Sequence, residues 1–131
     1  SDGIRDLAIG APNGGLDVRP SGLVYIVYGQ STPFSAETNL RTLLPLYGGD
    51  GTAGVVVQGG NTNDQVGNAI APIGDFNGDG FPDIAIGAPG LDDAGNNAGG
   101  VYIVYGSATP LPAVVELISL GQAGATPVCA R

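Results

Sequence analysis

The chain has 131 residues, a formal net charge of −8 and ten aspartates among its twelve acids, set against four arginines and no Lys or His. Four scattered arginines cannot form a phosphate-binding patch, which argues against a nucleic-acid partner, and the lack of His removes the commonest general base. With 24 Gly and 10 Pro, the composition favours short strands joined by tight turns over long helices.

Two stretches of the chain are copies of each other. Residues 1–29 align without a gap on residues 78–106 at an offset of 77: Asp2-Gly3 falls on Asp79-Gly80, Asp6 on Asp83, Ala8-Ile9-Gly10-Ala11-Pro12 on Ala85-Ile86-Gly87-Ala88-Pro89, and Val24-Tyr25-Ile26-Val27-Tyr28-Gly29 on Val101-Tyr102-Ile103-Val104-Tyr105-Gly106. A repeat of this length takes precedence over local readings and signals an architecture of stacked units. In each copy the order is polar loop, short apolar strand, Gly-Ala-Pro stop, second polar loop, second strand and Gly stop. The first copy, residues 1–29, is read as the end of a leading unit. Because the chain opens inside a motif, it reads as part of something longer.

Residues 30–54 form a connection. Leu40-Arg41-Thr42-Leu43-Leu44 reads as a helical turn or an extended connection, and the connection is favoured because Pro45 follows and disfavours helical geometry before it. Gly49-Asp50-Gly51-Thr52-Ala53-Gly54 matches G-x-G-x-x-G in form only. A dinucleotide fingerprint must open a helix, whereas the β-branched run Val55-Val56-Val57 comes next, so this is a glycine turn leading into a strand. Residues 59–64 read as loop and residues 66–73 as a strand of small residues. Residues 55–106 then make one complete unit of four strands, the blade number of a β-propeller. The strand Val101-Tyr102-Ile103-Val104-Tyr105 is apolar on both faces, which requires cover from both sides. Small sheets sandwiched between neighbours in a radial stack provide it. The fold class expected is all-β, a partial β-propeller of four-stranded antiparallel blades. Residues 107–131 are the start of a further repeat or a frayed tail.

The chemistry is concentrated in Asp75-Phe76-Asn77-Gly78-Asp79-Gly80-Phe81-Pro82-Asp83. Oxygen-bearing side chains stand at its first, third, fifth and ninth positions, and Gly80 supplies the bend. Six to eight oxygens suit Ca²⁺, and Asp75, Asn77, Asp79 and Asp83 with the Phe81 carbonyl and water would supply them. The spacing matches the first half of an EF-hand loop, but its twelfth position is Ile86 where that loop has a bidentate Glu, so Asp83 would have to close the site. The bland reading is an Asx-rich hairpin turn. It is disfavoured here because three carboxylates packed into nine residues repel one another.

D-x-N-x-D-G-x-x-D, an apolar strand, Gly-Ala-Pro and then Gly-Val-Tyr-Ile-Val-Tyr-Gly together resemble the FG-GAP repeats of integrin α-chain propellers and their bacterial relatives. Val66-Gly67 stands where that family has Phe-Gly. The resemblance implies a seven-bladed, extracellular or cell-surface parent that binds Ca²⁺ on its blade loops and serves adhesion or ligand recognition. Carried over by position, the ligands are Asp75, Asn77, Asp79, the Phe81 carbonyl and Asp83. In the leading copy Asp2, the Ile4 carbonyl and Asp6 remain, and weak binding at most is expected there. The partners implied are a protein or glycan ligand and neighbouring blades, in a longer parent or by self-association.

Enzymatic readings have little support. Cys129 stands alone near the end, so it has no partner for an intrachain disulfide, and no Ser sits in a nucleophile-elbow context. A carboxylate pair could hydrolyse a glycoside, but the close acids are better explained as ligands. The alternative kept is a scaffold domain of a secreted carbohydrate-active or other hydrolytic enzyme. No stretch approaches the roughly 20 apolar residues that span a bilayer.

Overall fold

A computed structural model describes residues 3–18, 20–91, 98–109 and 111–117. Asp2, the Asp92-Asp93 and Asn96-Asn97 loop and the tail with Cys129 lie outside the described residues. Seven strands form: β1 (Leu7–Ala11), β2 (Leu23–Val27), β3 (Gly54–Gln58), β4 (Ala69–Gly74), β5 (Asp83–Ala88), β6 (Gly100–Val104) and β7 (Val114–Glu116). They make a four-stranded sheet in the order β1-β2-β3-β7 and a three-stranded sheet in the order β4-β5-β6. The architecture is all-β, that of two successive sheets of a partial propeller.

The two copies fold alike. Leu7 lies opposite Val27 and Ala11 opposite Leu23 in the first, and Ile84 opposite Val104 and Ala88 opposite Gly100 in the second. Each of those positions differs from its counterpart by the repeat offset, so the hairpin register is repeated along with the sequence. The glycine ending the second strand of each copy is required by a close approach: a Cβ at Gly29 would strike the Arg5 carbonyl oxygen, and one at Gly106 the Pro82 carbonyl oxygen.

The core lies between the sheets. Val24 and Val57 of the first sheet, Ile86, Ala88 and Val104 of the second, and Val66, Val115 and Leu117 form one buried apolar cluster, with Ile26, Ile70, Ile84 and Tyr102 packed against it. The opposite face of the first sheet is partly covered by its own connection, since Leu43 is buried with Leu23, Val27 and Val56 while Leu40 and Leu44 pack beside them. Val24, Val55, Val56 and Val57 are fully buried, so both faces of β3 find cover. The second sheet differs, because Val101 on its outer face remains 67% exposed.

Three sequence expectations change. The strand over residues 54–58 does not join the strands that follow it. It pairs antiparallel with β2, Tyr25 facing Val56, and β7 pairs parallel with its other edge, Val57 facing Val115. Sheet boundaries therefore cut across the predicted unit of residues 55–106, and the first sheet is of mixed direction. Strand β4 starts at Ala69, not at residue 66, because Gln65 (φ 56°) and Gly67 (φ 89°) adopt left-handed backbone. The 40–44 segment is not extended throughout. Residues Leu40–Leu43 form a 3-10 turn whose start is capped by the Asn39 side chain accepting the Arg41 N–H at 3.1 Å. Pro45 forces only Leu44 into extended geometry (φ −81°, ψ 142°) and then opens a second turn, Pro45–Tyr47, which Gly48 ends in left-handed geometry. Proline here starts a turn rather than preventing one.

The link between sheets is the crossover after β3. Gly59 N–H donates to the Gly22 carbonyl (3.0 Å), Asn63 N–H to Pro20 (3.0 Å) and Val66 N–H to Ser21 (3.2 Å), all in the first copy; Gly67 N–H donates to Gly87 (3.1 Å) in the second, while Gly90 N–H donates back to Asp64 (3.1 Å). One strap thus fastens the loops after β1 and β5 together.

Candidate metal centre

The loop between β4 and β5 is shaped by its own side chains. Asp75 accepts two backbone N–H groups, from Asp79 at Oδ1 (2.9 Å) and from Gly80 at Oδ2 (2.8 Å). Asn77 Oδ1 shares the Asp79 N–H at 3.1 Å, and its amide nitrogen donates to Asp79 Oδ2 at 2.9 Å. Asp79 Oδ1 takes the Phe81 N–H at 2.9 Å. These nested turns need left-handed backbone at Gly78 (φ 77°) and Gly80 (φ 90°), which glycine adopts without a Cβ penalty. The side chains of Asp75, Asn77 and Asp79 are thereby tied together on an exposed loop.

Asp83 behaves differently. It is 1% exposed, and both of its oxygens accept backbone donors: Phe76 N–H at Oδ2 (2.8 Å) and Gly106 N–H at Oδ1 (2.8 Å). It pins the start of the loop and the end of β6 to the first residue of β5. Among the described residues no group of three or more His, Cys, Asp or Glu side chains is gathered as a metal set. The five expected ligands are thus brought onto one loop, but Asp83 stands as its buried anchor. The backbone donors also answer the repulsion argument, since amide dipoles around each carboxylate disperse its charge without a cation. A hydrogen bond uses one of two lone pairs on a carboxylate oxygen. An all-oxygen donor set with lone pairs to spare is the chemistry a hard divalent cation takes, and the residues fit one in that respect.

Residues 66–104, which hold this loop and all three strands of the second sheet, match the family described as FG-GAP repeat. The chain carries an FG-GAP repeat. It is 35% identical over 111 residues to phosphatidylinositol-glycan-specific phospholipase D of Mus musculus, covering 81% of this chain and 12% of that protein. To integrin alpha-6 of Homo sapiens it is 34% identical over 108 residues, covering 82% of this chain and 8% of that protein. Integrin alpha-V of Gallus gallus is 52% identical over a shorter stretch of 59 residues, 44% of this chain and 5% of that protein. The chain is an FG-GAP, integrin-α-like segment and spans 5–12% of the length of these relatives.

The leading copy of the FG-GAP pattern keeps the anchor. Asp6 Oδ1 accepts the Gly29 N–H at 2.9 Å, the counterpart of the Asp83–Gly106 bond, and both pairs are 23 residues apart. Sequence reasoning assigned this aspartate to a cation alone and missed its grip on the hairpin. The equal Asp-to-Gly interval in both copies was the available signal. Asp64 was also missed: it is 2% exposed and accepts the Asn61 N–H at 2.8 Å, shaping the strap. The Gly49–Gly54 motif is a turn as expected, with Asp50 Oδ1 accepting the Thr52 N–H (2.9 Å) and hydroxyl (2.6 Å). Those bonds, the hydroxyl first, hold the Asp50 carboxyl below its ordinary value. Among the described residues no helix is long and apolar enough to cross a membrane.

Proposed function

We propose that this chain is a calcium-binding FG-GAP propeller segment of an extracellular or cell-surface protein, serving adhesion or ligand recognition without catalysis. The observation that carries the reading is the β4–β5 loop itself: D-x-N-x-D-G spacing, with the Asp75 and Asn77 side chains sharing the Asp79 N–H and Asn77 donating to the Asp79 carboxylate at the surface. Asp75, Asn77, Asp79, the Phe81 carbonyl and Asp83 would hold the ion. A bound divalent cation would supply charge balance and rigidity. The chain's part is to keep the loop near its working shape through the Asp75 and Asp79 bonds, and to tie it to the end of β6 through Asp83. Similarity to integrin α-chains supports the extracellular or cell-surface setting.

A ligand that binds only the folded chain stabilises it by about 2.7 kcal/mol at a hundred times its dissociation constant. Melting the chain in calcium and in chelator tests this directly. Calcium should raise Tm in the natural sequence, Asp79→Ala should remove that difference, and Asp93→Ala should keep it. Equal calcium shifts in the two variants would remove the ligand assignment.

A second reading is favoured by one observation, the match to phosphatidylinositol-glycan-specific phospholipase D over most of the chain. The segment would then be a scaffold within a hydrolase. Hydrolysis of glycosylphosphatidylinositol or polysaccharide by a longer parent, retained after Asp79→Ala at low temperature, would favour that scaffold role over the adhesive one.

A further inference from the structure

Asn-Gly occurs twice in the chain, as Asn13-Gly14 and Asn77-Gly78. An asparagine in this pair is open to attack by its own main chain. The glycine nitrogen has no adjacent side chain to shield it, and it closes a small ring on the asparagine side-chain carbonyl without a second molecule. The fold treats the two pairs differently.

At Asn13-Gly14 the nucleophile is engaged. The Gly14 N–H donates to the Ala11 carbonyl at 2.9 Å, and the Gly14 carbonyl accepts the Gly22 N–H at 2.8 Å, so the peptide groups on both sides of Gly14 are fixed. The space is closed too: a Cβ on Gly14 would lie 3.1 Å from the Ala11 oxygen and 3.1 Å from Leu23 Cδ1.

At Asn77-Gly78 both residues are exposed, and nothing lies within 4 Å of a Cβ built on Gly78. Among the described residues the Gly78 N–H makes no hydrogen bond. The electrophile is prepared as well. Asn77 Oδ1 accepts the Asp79 N–H at 3.1 Å, which draws the side chain forward along the main chain and puts a donor on the oxygen where negative charge develops. Nδ2, the nitrogen that must leave, donates to Asp79 Oδ2 at 2.9 Å, which holds the amide in place.

We propose that Asn77 is a self-modifying site. Gly78 N bonds to Asn77 Cγ and its amide proton passes to solvent; Nδ2 gains a proton, the Cγ–Nδ2 bond breaks and ammonia leaves. Water then opens the succinimide at either carbonyl, giving aspartate or isoaspartate. The sum is one water in and one ammonia out, with no oxidant or cofactor. The product adds a carboxylate beside Asp75, Asp79 and Asp83, and in the isoaspartate form it routes the main chain of the loop through Cβ and Cγ. Asn13 stays intact. The chemistry goes beyond the calcium reading and does not depend on it.

Holding the natural chain folded in chelator at neutral pH, and mapping its peptides by mass spectrometry over time, tests this. Deamidated and isoaspartyl peptides should accumulate at Asn77 at least about tenfold faster than at Asn13, a difference of about 1.4 kcal/mol in barrier. In guanidinium, where the Gly14 bonds are lost, the two sites should react at similar rates. Asn77→Ser should abolish the early acidic species seen on ion exchange, and Asn13→Ser should leave it. The peptide map of the natural chain decides alone if Asn77→Ser does not fold. Equal rates at the two sites in the folded chain, or an Asn77 that stays intact when folded while it reacts when unfolded, would each overturn the proposal. No calcium is present in this experiment, so its failure and that of the calcium melts are separate results.

Discussion

At Asp83 one buried carboxylate satisfies two backbone N–H groups, those of Phe76 and Gly106. Leaving a buried donor unpaired costs about 1–3 kcal/mol. Asp83→Ala is therefore expected to lower stability by at least about that amount in chelator, where Asp79→Ala changes it far less; denaturant melts of both variants without calcium separate the two roles. Ser21 offers the reverse case. Among the described residues its hydroxyl is buried without a hydrogen-bond partner, so Ser21→Ala should raise unfolding free energy by up to about 1 kcal/mol. A loss on that substitution would contradict the unpaired assignment. Tyr28 carries the clearest titration effect: burial first, and the Asp6 charge second, raise its hydroxyl pKa. A raised value in the fold means the unfolded chain loses this proton first. The stabilisation is complete below about pH 10 and drains away as pH climbs through the folded value. Tyr28→Phe should flatten the fall of Tm above pH 10.

Among the elements, those set by local chemistry were legible and those set by partner choice were not. The strands of both copies could be read because β-branched and aromatic runs end at glycines. Their shared register follows from the repeat. The sheet that residues 54–58 join was not legible, since Val55-Val56-Val57 is apolar on both faces and its period favours neither β2 nor β4. The short β7 was hidden for the same reason. At Leu40–Leu43 the following Pro45 favoured an extended connection over a turn, but the Asn39 side chain accepts the Arg41 N–H two residues on and caps a turn there. Asn39→Ala should cost about 0.5–2 kcal/mol, read as a lower denaturant midpoint at unchanged m-value. At the candidate site the ligand types and the loop were legible, whereas the anchoring of Asp83 was not, because its Gly106 partner lies a full hairpin away.

Across the whole molecule, the sheets are joined by a shared apolar core, by the strap after β3 and by β7, which crosses to the edge of the first sheet, so they should unfold together. Ile86 sits fully buried in that core, and Ile86→Ala should remove about 2–5 kcal/mol while keeping one cooperative transition. Separate transitions by near-UV and far-UV circular dichroism would show that the sheets are independent. The repeat itself was legible from residues alone, and it carries the strongest whole-molecule statement: neighbouring units meet through unlike faces.

Where β1 passes the start of β4, Gly10 lies so near the Gly67 carbonyl oxygen that a methyl group would collide with it. That missing methyl lets the first sheet come this close to the start of the second. In a propeller, equal steps must sum to a full turn, so a residue at this contact would bear on how many members complete the circle. Replacing it with alanine would alter the angular step and leave a circle built for the original count with a gap or an overlap.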